Sequence, residues 1–498
     1  MKTITASVPL RFISFFLINL LFMASASAAG LSEETVNDFL ASEPFSFILL
    51  EFGFIIALAL LAHMFSSHFQ MPRMLGELLI GIVIGNLLYW LDLSPVFYIL
   101  MHLSDATEIF KSVWTSDLPI AETISRIYIS DEQETVDFVS RMTAIFTSTQ
   151  SPAFILLGVG LWLFSNFGIF FLLFKLGLET KPENIIKTAE PLAYLIAVTG
   201  TLLPFILGLA ASYWLLPDIS TAQHIFIAAA LCPTSAALTT HLFSKIERVD
   251  TREARLAIQA AYIDDIFNVF FLAIISNIVI AQILNPADIL AFFFYSTLVS
   301  VLIIVSGKQI VKIIPKYYLL NETQTLIVLP MIIVFFVSWL ADLLSIGMIS
   351  SAFMAGMIMN NIQGNRDMIK NMIESLEKIF APIFFIFVGM QVNLELFSNA
   401  NIVLLTLVLF TTAVAGKVLA GYLTQQKIHY LAVGLGLVPR GEAVLIFIST
   451  GKIIGIINDS IFSVIVMIVL FSYLITPWAI KKFCTAKCLE KSFALKTQ

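Results

Sequence analysis

The chain has 498 residues, 59% of them hydrophobic and 12% charged, with a mean hydropathy of +0.93 and a formal charge of −6. Soluble globular domains are about 25% charged, so that class is excluded and an all-α polytopic membrane protein is indicated. No basic stripe coincides with aromatics, which argues against a nucleic-acid partner, and three cysteines cannot build a disulfide framework.

Taken in order, the chain opens with Lys2 and Arg11 ahead of an apolar core, Phe12 to Met23, and then Ala24-Ser25-Ala26-Ser27-Ala28-Ala29. Residues 1–29 read as a signal peptide with a small-residue cleavage site, an uncleaved helix being the other reading. Windows of about 20 apolar residues mark the spans. Residues 30–100 hold the first two, Phe45–Met64 and Met74–Leu91. Residues 101–151 form an acidic loop, with Asp105, Glu108, Asp117, Glu122, Asp131, Glu132, Glu134 and Asp137 against Lys111, Arg126 and Arg141. Such a charge run reads as a solvated face.

Residues 152–481 carry the remaining spans. Pro152–Leu178, Leu192–Leu215, Ala222–Phe243 and Ala254–Leu284 come first. Ile289–Ser306, Leu326–Leu343, Ile346–Asn360 and Ile379–Leu396 follow. Ile402–Leu423, Tyr430–Ile454 and Ile461–Ile480 complete the set, with residues 482–498 as a short tail. That makes about thirteen spans by window length. Lys245, Arg248, Arg252, Arg255, Lys308, Lys312, Lys316, Arg366, Lys370, Lys378 and the lysines of the tail all fall on one side if the spans alternate. Basic loops stay in the cytoplasm, so the C-terminus is expected there, with the N-terminus and the acidic loop periplasmic.

Two spans are interrupted alike, at Cys232-Pro233-Thr234-Ser235 and at Gly434-Leu435-Gly436-Leu437-Val438-Pro439-Arg440-Gly441. Proline removes a backbone donor and glycine weakens a helix, and paired broken helices in the two halves of a transporter mark its binding site. Between them in sequence lie Asp264 and Asp265, inside a long apolar run. A carboxylate at that depth costs about 2.5–3.5 kcal/mol on insertion scales. Two adjacent ones repel and demand a cation, a proton or a basic partner. Lys417, inside the eleventh span, is the candidate partner; snorkelling to the interface is its other reading. A hard monovalent cation takes oxygen ligands, which an aspartate, Thr234, Ser235 and unwound carbonyls can supply. Protons and Na⁺ would then compete for one site, and no resident cofactor is called for.

The ordered motifs are Pro72 with Gly76-Glu77, Phe174-Lys175-Leu176-Gly177-Leu178-Glu179, Thr234-Ser235, Asp264-Asp265 and Ala352-Phe353-Met354-Ala355-Gly356. Pro382-Ile383-Phe384-Phe385, Gly416-Lys417 and Pro439-Arg440-Gly441-Glu442 continue them. Through these the chain resembles the monovalent cation:proton antiporter-2 family, from about Gln70 to Ile480. The resemblance implies a sodium/proton antiporter fold of inverted repeats with two crossed, broken helices, a core moving against a dimerisation domain, and a homodimer. It implies Asp265 as the cation and proton site, Asp264 paired with Lys417, and electrogenic exchange of cytoplasmic Na⁺ or Li⁺ for external protons across the bacterial inner membrane. Arg440, Glu442 and Glu77 match supporting positions, Arg440 and Glu442 fitting a structural ion pair as well as a transport role. Lys175 departs from the usual small or apolar residue.

Two rival readings stay open. A K⁺/H⁺ antiporter or Kef-like potassium efflux system shares the membrane motifs, but that group usually lacks the double Asp and carries a soluble nucleotide-binding domain, which is not expected in a tail of residues 482–498. An intramembrane aspartyl protease also buries two acids, but places them on separate helices facing one another. Adjacent residues on one helix point about 100° apart.

Overall fold

The computed structural model describes residues 44–91, 119–128, 133–147, 151–180, 189–247, 249–281, 285–317, 323–344, 348–360, 366–422 and 429–483, with residues 98–99, 101–102, 105–106, 108–109 and 112–113. The expected signal peptide, 1–29, and the tail beyond 483 lie outside them.

Among the described residues all regular structure is helical. The elements are α1 (Pro44–His68), α2 (Arg73–Trp90), α3 (Ile120–Ile127), α4 (Gln133–Thr147), α5 (Ser151–Glu179), α6 (Pro191–Leu215), α7 (Thr221–Ala230), α8 (Ala236–Lys245) and α9 (Arg252–Ile280). Then come α10 (Pro286–Tyr317), α11 (Thr323–Leu343), α12 (Met348–Met359), α13 (Arg366–Met390), α14 (Ala400–Tyr422), α15 (Tyr430–Gly436), α16 (Glu442–Ile453) and α17 (Asp459–Phe483). Seven are long and apolar enough to cross a membrane whole, and shorter apolar helices lie between them. With α7–α8 and α15–α16 each taken as one interrupted span, the described helices other than α3 and α4 match the apolar windows in order.

The largest shift is in α13. It begins at Arg366, well before the apolar window at Ile379. Its first turns bury Ile369 and Ile373 while Lys370 and Lys378 pair with Glu374 on the other face, an amphipathic pattern that hydropathy averages away.

The helices pack as two groups. One joins α1, α2, α5 and α10–α13; the other joins α6–α9 and α14–α17; α9 touches α10 and α12 across the divide. Glycine sets the closest approach in the first group. A Cβ on Gly177 would lie 2.1 Å from Phe353 O, and one on Gly356 would lie 2.2 Å from Phe174 O, so α5 and α12 meet backbone to backbone as small residues permit.

Two ends of the bundle can be told apart. At one, Lys245 Nζ donates to Gln70 O at 3.1 Å and His429 N donates to Glu253 Oε1 at 3.2 Å. At the other, Gln223 Nε2 donates to Ile456 O at 2.9 Å beside the α16–α17 turn. Hence α7 starts from the second end and α15 from the first, and the interrupted pairs run antiparallel and cross at their breaks. The acidic segment sits at the second end. It is more than a solvated loop, because Ile109, Ile124, Met142 and Phe146 form a small core of their own beneath α3 and α4.

Candidate functional site

The acid pair sits on α9, which Thr251 starts by accepting a bond from Ala254 N at 3.2 Å. Because neighbours on a helix diverge, the two carboxylates meet different partners. Asp264 is 1% exposed. Its Oδ2 accepts from Thr234 N at 2.9 Å and lies 3.4 Å from Lys417 Nζ, while Thr201 Oγ1 donates to its Oδ1. Asp265 is only half-buried, and its Oδ2 accepts from Ala236 N at 3.2 Å. One acid is therefore saturated by the protein; the other keeps lone pairs free for an ion.

The donors come from a broken helix for a local reason. Pro233 lacks an N–H and disfavours helix at the residue before it, so α7 stops at Ala230 and α8 restarts after Ser235, whose hydroxyl accepts from Leu238 N at 3.4 Å. The N-terminus of α8, with its positive dipole end, then faces Asp265. The second break locks onto the first. Ser235 N donates to Pro439 O at 3.1 Å, Thr234 Oγ1 to Leu437 O at 3.0 Å, and Thr239 Oγ1 to Gly436 O at 2.9 Å. A Cβ on Gly441 would fall 2.5 Å from Ser235 Cβ, so only glycine lets the two breaks touch.

Arg440 is fully buried and donates from Nη1 to Leu231 O and to Pro233 O, the latter at 3.4 Å. It satisfies carbonyls that the break leaves open at the end of α7. The Arg440–Glu442 ion pair that the motif allows is not formed among the described residues. Glu442 instead starts α16, where a helix N-terminus favours an acid.

The structure thus gathers Asp264, Asp265, Thr234, Ser235, Lys417, Arg440 and Glu442 around one crossing. Glu77 is elsewhere, buried on α2 in the field of Glu377 and Arg73. Lys175 turns inward and pairs with Glu377 at 3.1 Å. Thr201 was not legible as a partner of Asp264, since a threonine in an apolar span ordinarily bonds its own helix.

A second polar cluster lies at the end that carries the acidic segment. His102, Asp105 and Asp459 each bring a metal-ligating atom within 4.8 Å of the others. Lys452 Nζ, fully buried, stands 2.8 Å from Asp459 Oδ1 and already supplies the balancing charge. Tyr128 donates to Asp105 Oδ1 at 2.8 Å. Burial lowers the pKa of His102 and raises that of Asp105.

Comparison with known proteins gives a consistent picture. A family model described as sodium/hydrogen exchanger, transmembrane, matches residues 136–485. The high-affinity Na⁺/H⁺ antiporter NhaS3 of Synechocystis sp. is 27% identical over 65% of this chain and 71% of its own length. The Na⁺/H⁺-K⁺ antiporter GerN of Bacillus cereus is 27% identical over 65% of this chain and 83% of its own. The sodium proton antiporter MjNhaP1 from Methanocaldococcus jannaschii, at 14% identity, superposes with a TM-score of 0.54 over 90% of this chain and 99% of that one, a likeness of fold.

Proposed function

The chain belongs to the sodium/hydrogen exchanger family, and on that premise we propose that it is an electrogenic antiporter, exporting Na⁺ or Li⁺ in exchange for entering protons at the Asp264–Asp265 site. The observation that carries this reading is the division of labour between the acids. Asp264 is held by Thr201, Thr234 and Lys417, whereas Asp265 faces the start of α8 with oxygen left over.

With protons loaded, Asp265 is neutral and Lys417 is an ammonium paired with Asp264. A dehydrated cation enters, Asp265 gives up its proton, and the cation's charge competes with Lys417 for Asp264. The lysine then releases a second proton. Two protons leave for one monovalent cation, so each cycle moves one net charge. The helix ends at the crossing keep the site polar without lipid-exposed backbone.

The end carrying Lys245, Arg252 and Arg255 is cytoplasmic in this reading, supported by the basic-loop rule. The acidic segment is periplasmic, the membrane is the bacterial inner membrane, and the protein works as a homodimer.

The test is transport in proteoliposomes, with internal pH read as Na⁺, Li⁺ or K⁺ is added and the voltage clamped by valinomycin. Na⁺- or Li⁺-driven proton movement that responds to voltage is expected. Response to K⁺ alone would replace the reading with K⁺/H⁺ exchange, which the name of the Bacillus cereus relative makes worth including. Proton movement indifferent to voltage would remove the electrogenic step.

A further inference from the structure

Asn268 is 0% exposed, and neither its Oδ1 nor its Nδ2 has a hydrogen-bond partner among the described residues. Other asparagines in the bundle are satisfied. Asn277 Nδ2 donates back to Ala273 O at 2.9 Å, and Asn86 reaches Ile82 O and Val392 O at 2.8 and 2.7 Å. Asn268 makes no such return to its own helix. A buried amide with two donors and an acceptor idle costs free energy, and such a group in a native protein calls for an explanation.

Its position supplies one. Asn268 follows Asp264 by four residues and Asp265 by three. At about 100° per residue it projects roughly 40° from the direction of Asp264 and roughly 60° from that of Asp265, between the two and one turn further on. Side chains on a helix lean toward its N-terminus, which brings this amide back toward the acids. Asp264 is already engaged by Thr201, Thr234 and Lys417, and the Thr234 hydroxyl is spent on Leu437 O.

We propose that Asn268 Oδ1 is a ligand of the transported monovalent cation, closing its oxygen shell on the side of the acid pair that leads toward the acidic segment. A neutral carbonyl there binds a dehydrated cation without holding a proton, so it favours cation over proton at the shared site. A fixed reach from one helix turn also sets the size of ion that fits. This assignment rests on the antiport reading above.

The experiment uses the full-length protein with Asn268→Leu, which keeps the volume and removes both polar atoms, Asn268→Ala, which opens space, and Asn268→Ser, which restores an oxygen. Transport is measured against Na⁺, Li⁺ and K⁺ at fixed pH, and melting temperature with and without Na⁺. We expect the KM for Na⁺ to rise about tenfold or more in the leucine variant, the scale of one lost charge-assisted contact. Serine should recover part of it, and the order of preference among the three ions should change. The melting temperature without Na⁺ should hold or rise, while the gain on adding Na⁺ shrinks. A KM within twofold of wild type together with a raised melting temperature would mean an idle amide with only a structural cost, and the inference fails. If leucine does not fold, alanine and serine decide by the same KM readout. Wild-type protein without cation-driven proton flux would instead defeat the antiport reading itself.

Discussion

Lys417 Nζ lies 3.4 Å from Asp264 Oδ2, and the two side chains are 1% and 2% exposed. Neither charge has water to fall back on, so each offsets the other's desolvation. Removing one partner of such a pair typically costs about 3–5 kcal/mol, because the other is left buried and uncompensated. Lys417→Ala should therefore lower the melting temperature clearly. Asp264→Asn in the same chain should recover much of the loss, and a thermal-shift double-mutant cycle measures this. Coupling below about 0.5 kcal/mol, the level of independent sites, would count against the pair.

The acids should separate in transport assays. Asp265→Asn leaves a neutral amide where the half-buried carboxylate accepts from Ala236 N, and it should abolish cation-driven proton flux while the protein still folds. Asp264→Asn releases Lys417 from its counter-charge and should leave exchange that no longer responds to membrane voltage. Internal-pH recordings with and without valinomycin read both outcomes. Sodium-driven flux surviving in Asp265→Asn would dismiss that residue as the carrier.

The spans and the acid–lysine pair were legible because their physics is written in single residues. Twenty apolar positions cross a bilayer, and a charge in oil needs an opposite one. The breaks in α7–α8 and α15–α16 were legible through Pro233 and Pro439, each of which stops its helix, whereas their crossing was implied only by the family resemblance. Thr201 was not legible, since a hydroxyl in a span usually turns back on its own helix, as Thr199 does toward Leu195 O. Nothing in sequence says which one reaches across. The start of α13 was hidden because its apolar stripe alternates with lysines and glutamates. The packed core of the acidic segment was hidden by the same averaging, with Ile120, Ile124 and Ile127 at helical spacing among charges.

Arg440 should matter for stability more than its motif suggests. Its guanidinium closes the carbonyls of Leu231 and Pro233 at the end of α7. Bonds to a charged donor contribute about 1.5–3 kcal/mol each, so Arg440→Ala should cost about 3 kcal/mol or more. Arg440→Lys should rescue little, because both bonds leave Nη1 at the tip of the guanidinium, beyond the reach of the shorter lysine side chain. Denaturation in detergent compares the variants. A lysine variant as stable as wild type would show that charge alone is needed at this position.

The acidic segment should respond to pH through His102. Its ring packs against Tyr98 and Phe138 at 4.8 and 5.2 Å and faces Asp105, Asp459 and Lys452, with Glu108 and Tyr128 close by. Burial lowers its pKa from 6.5, so the folded state holds fewer protons than the unfolded one just below that value. Stability is therefore full above pH 6.5, begins to fall as pH drops past it, and stops falling below the lowered folded value. Asp105 acts in the opposite sense. Burial raises its pKa from 3.8, so its favourable share is complete only below pH 3.8 and is lost as pH rises through the folded value. Between pH 7.5 and 6 the histidine sets the trend. Amide hydrogen exchange in α3 and α4 should quicken over that range relative to α9, after correction for the intrinsic pH dependence of exchange. His102→Gln should flatten the response. A segment whose corrected exchange is the same at both pH values, or one equally sensitive without His102, would show that this ring does not govern its docking.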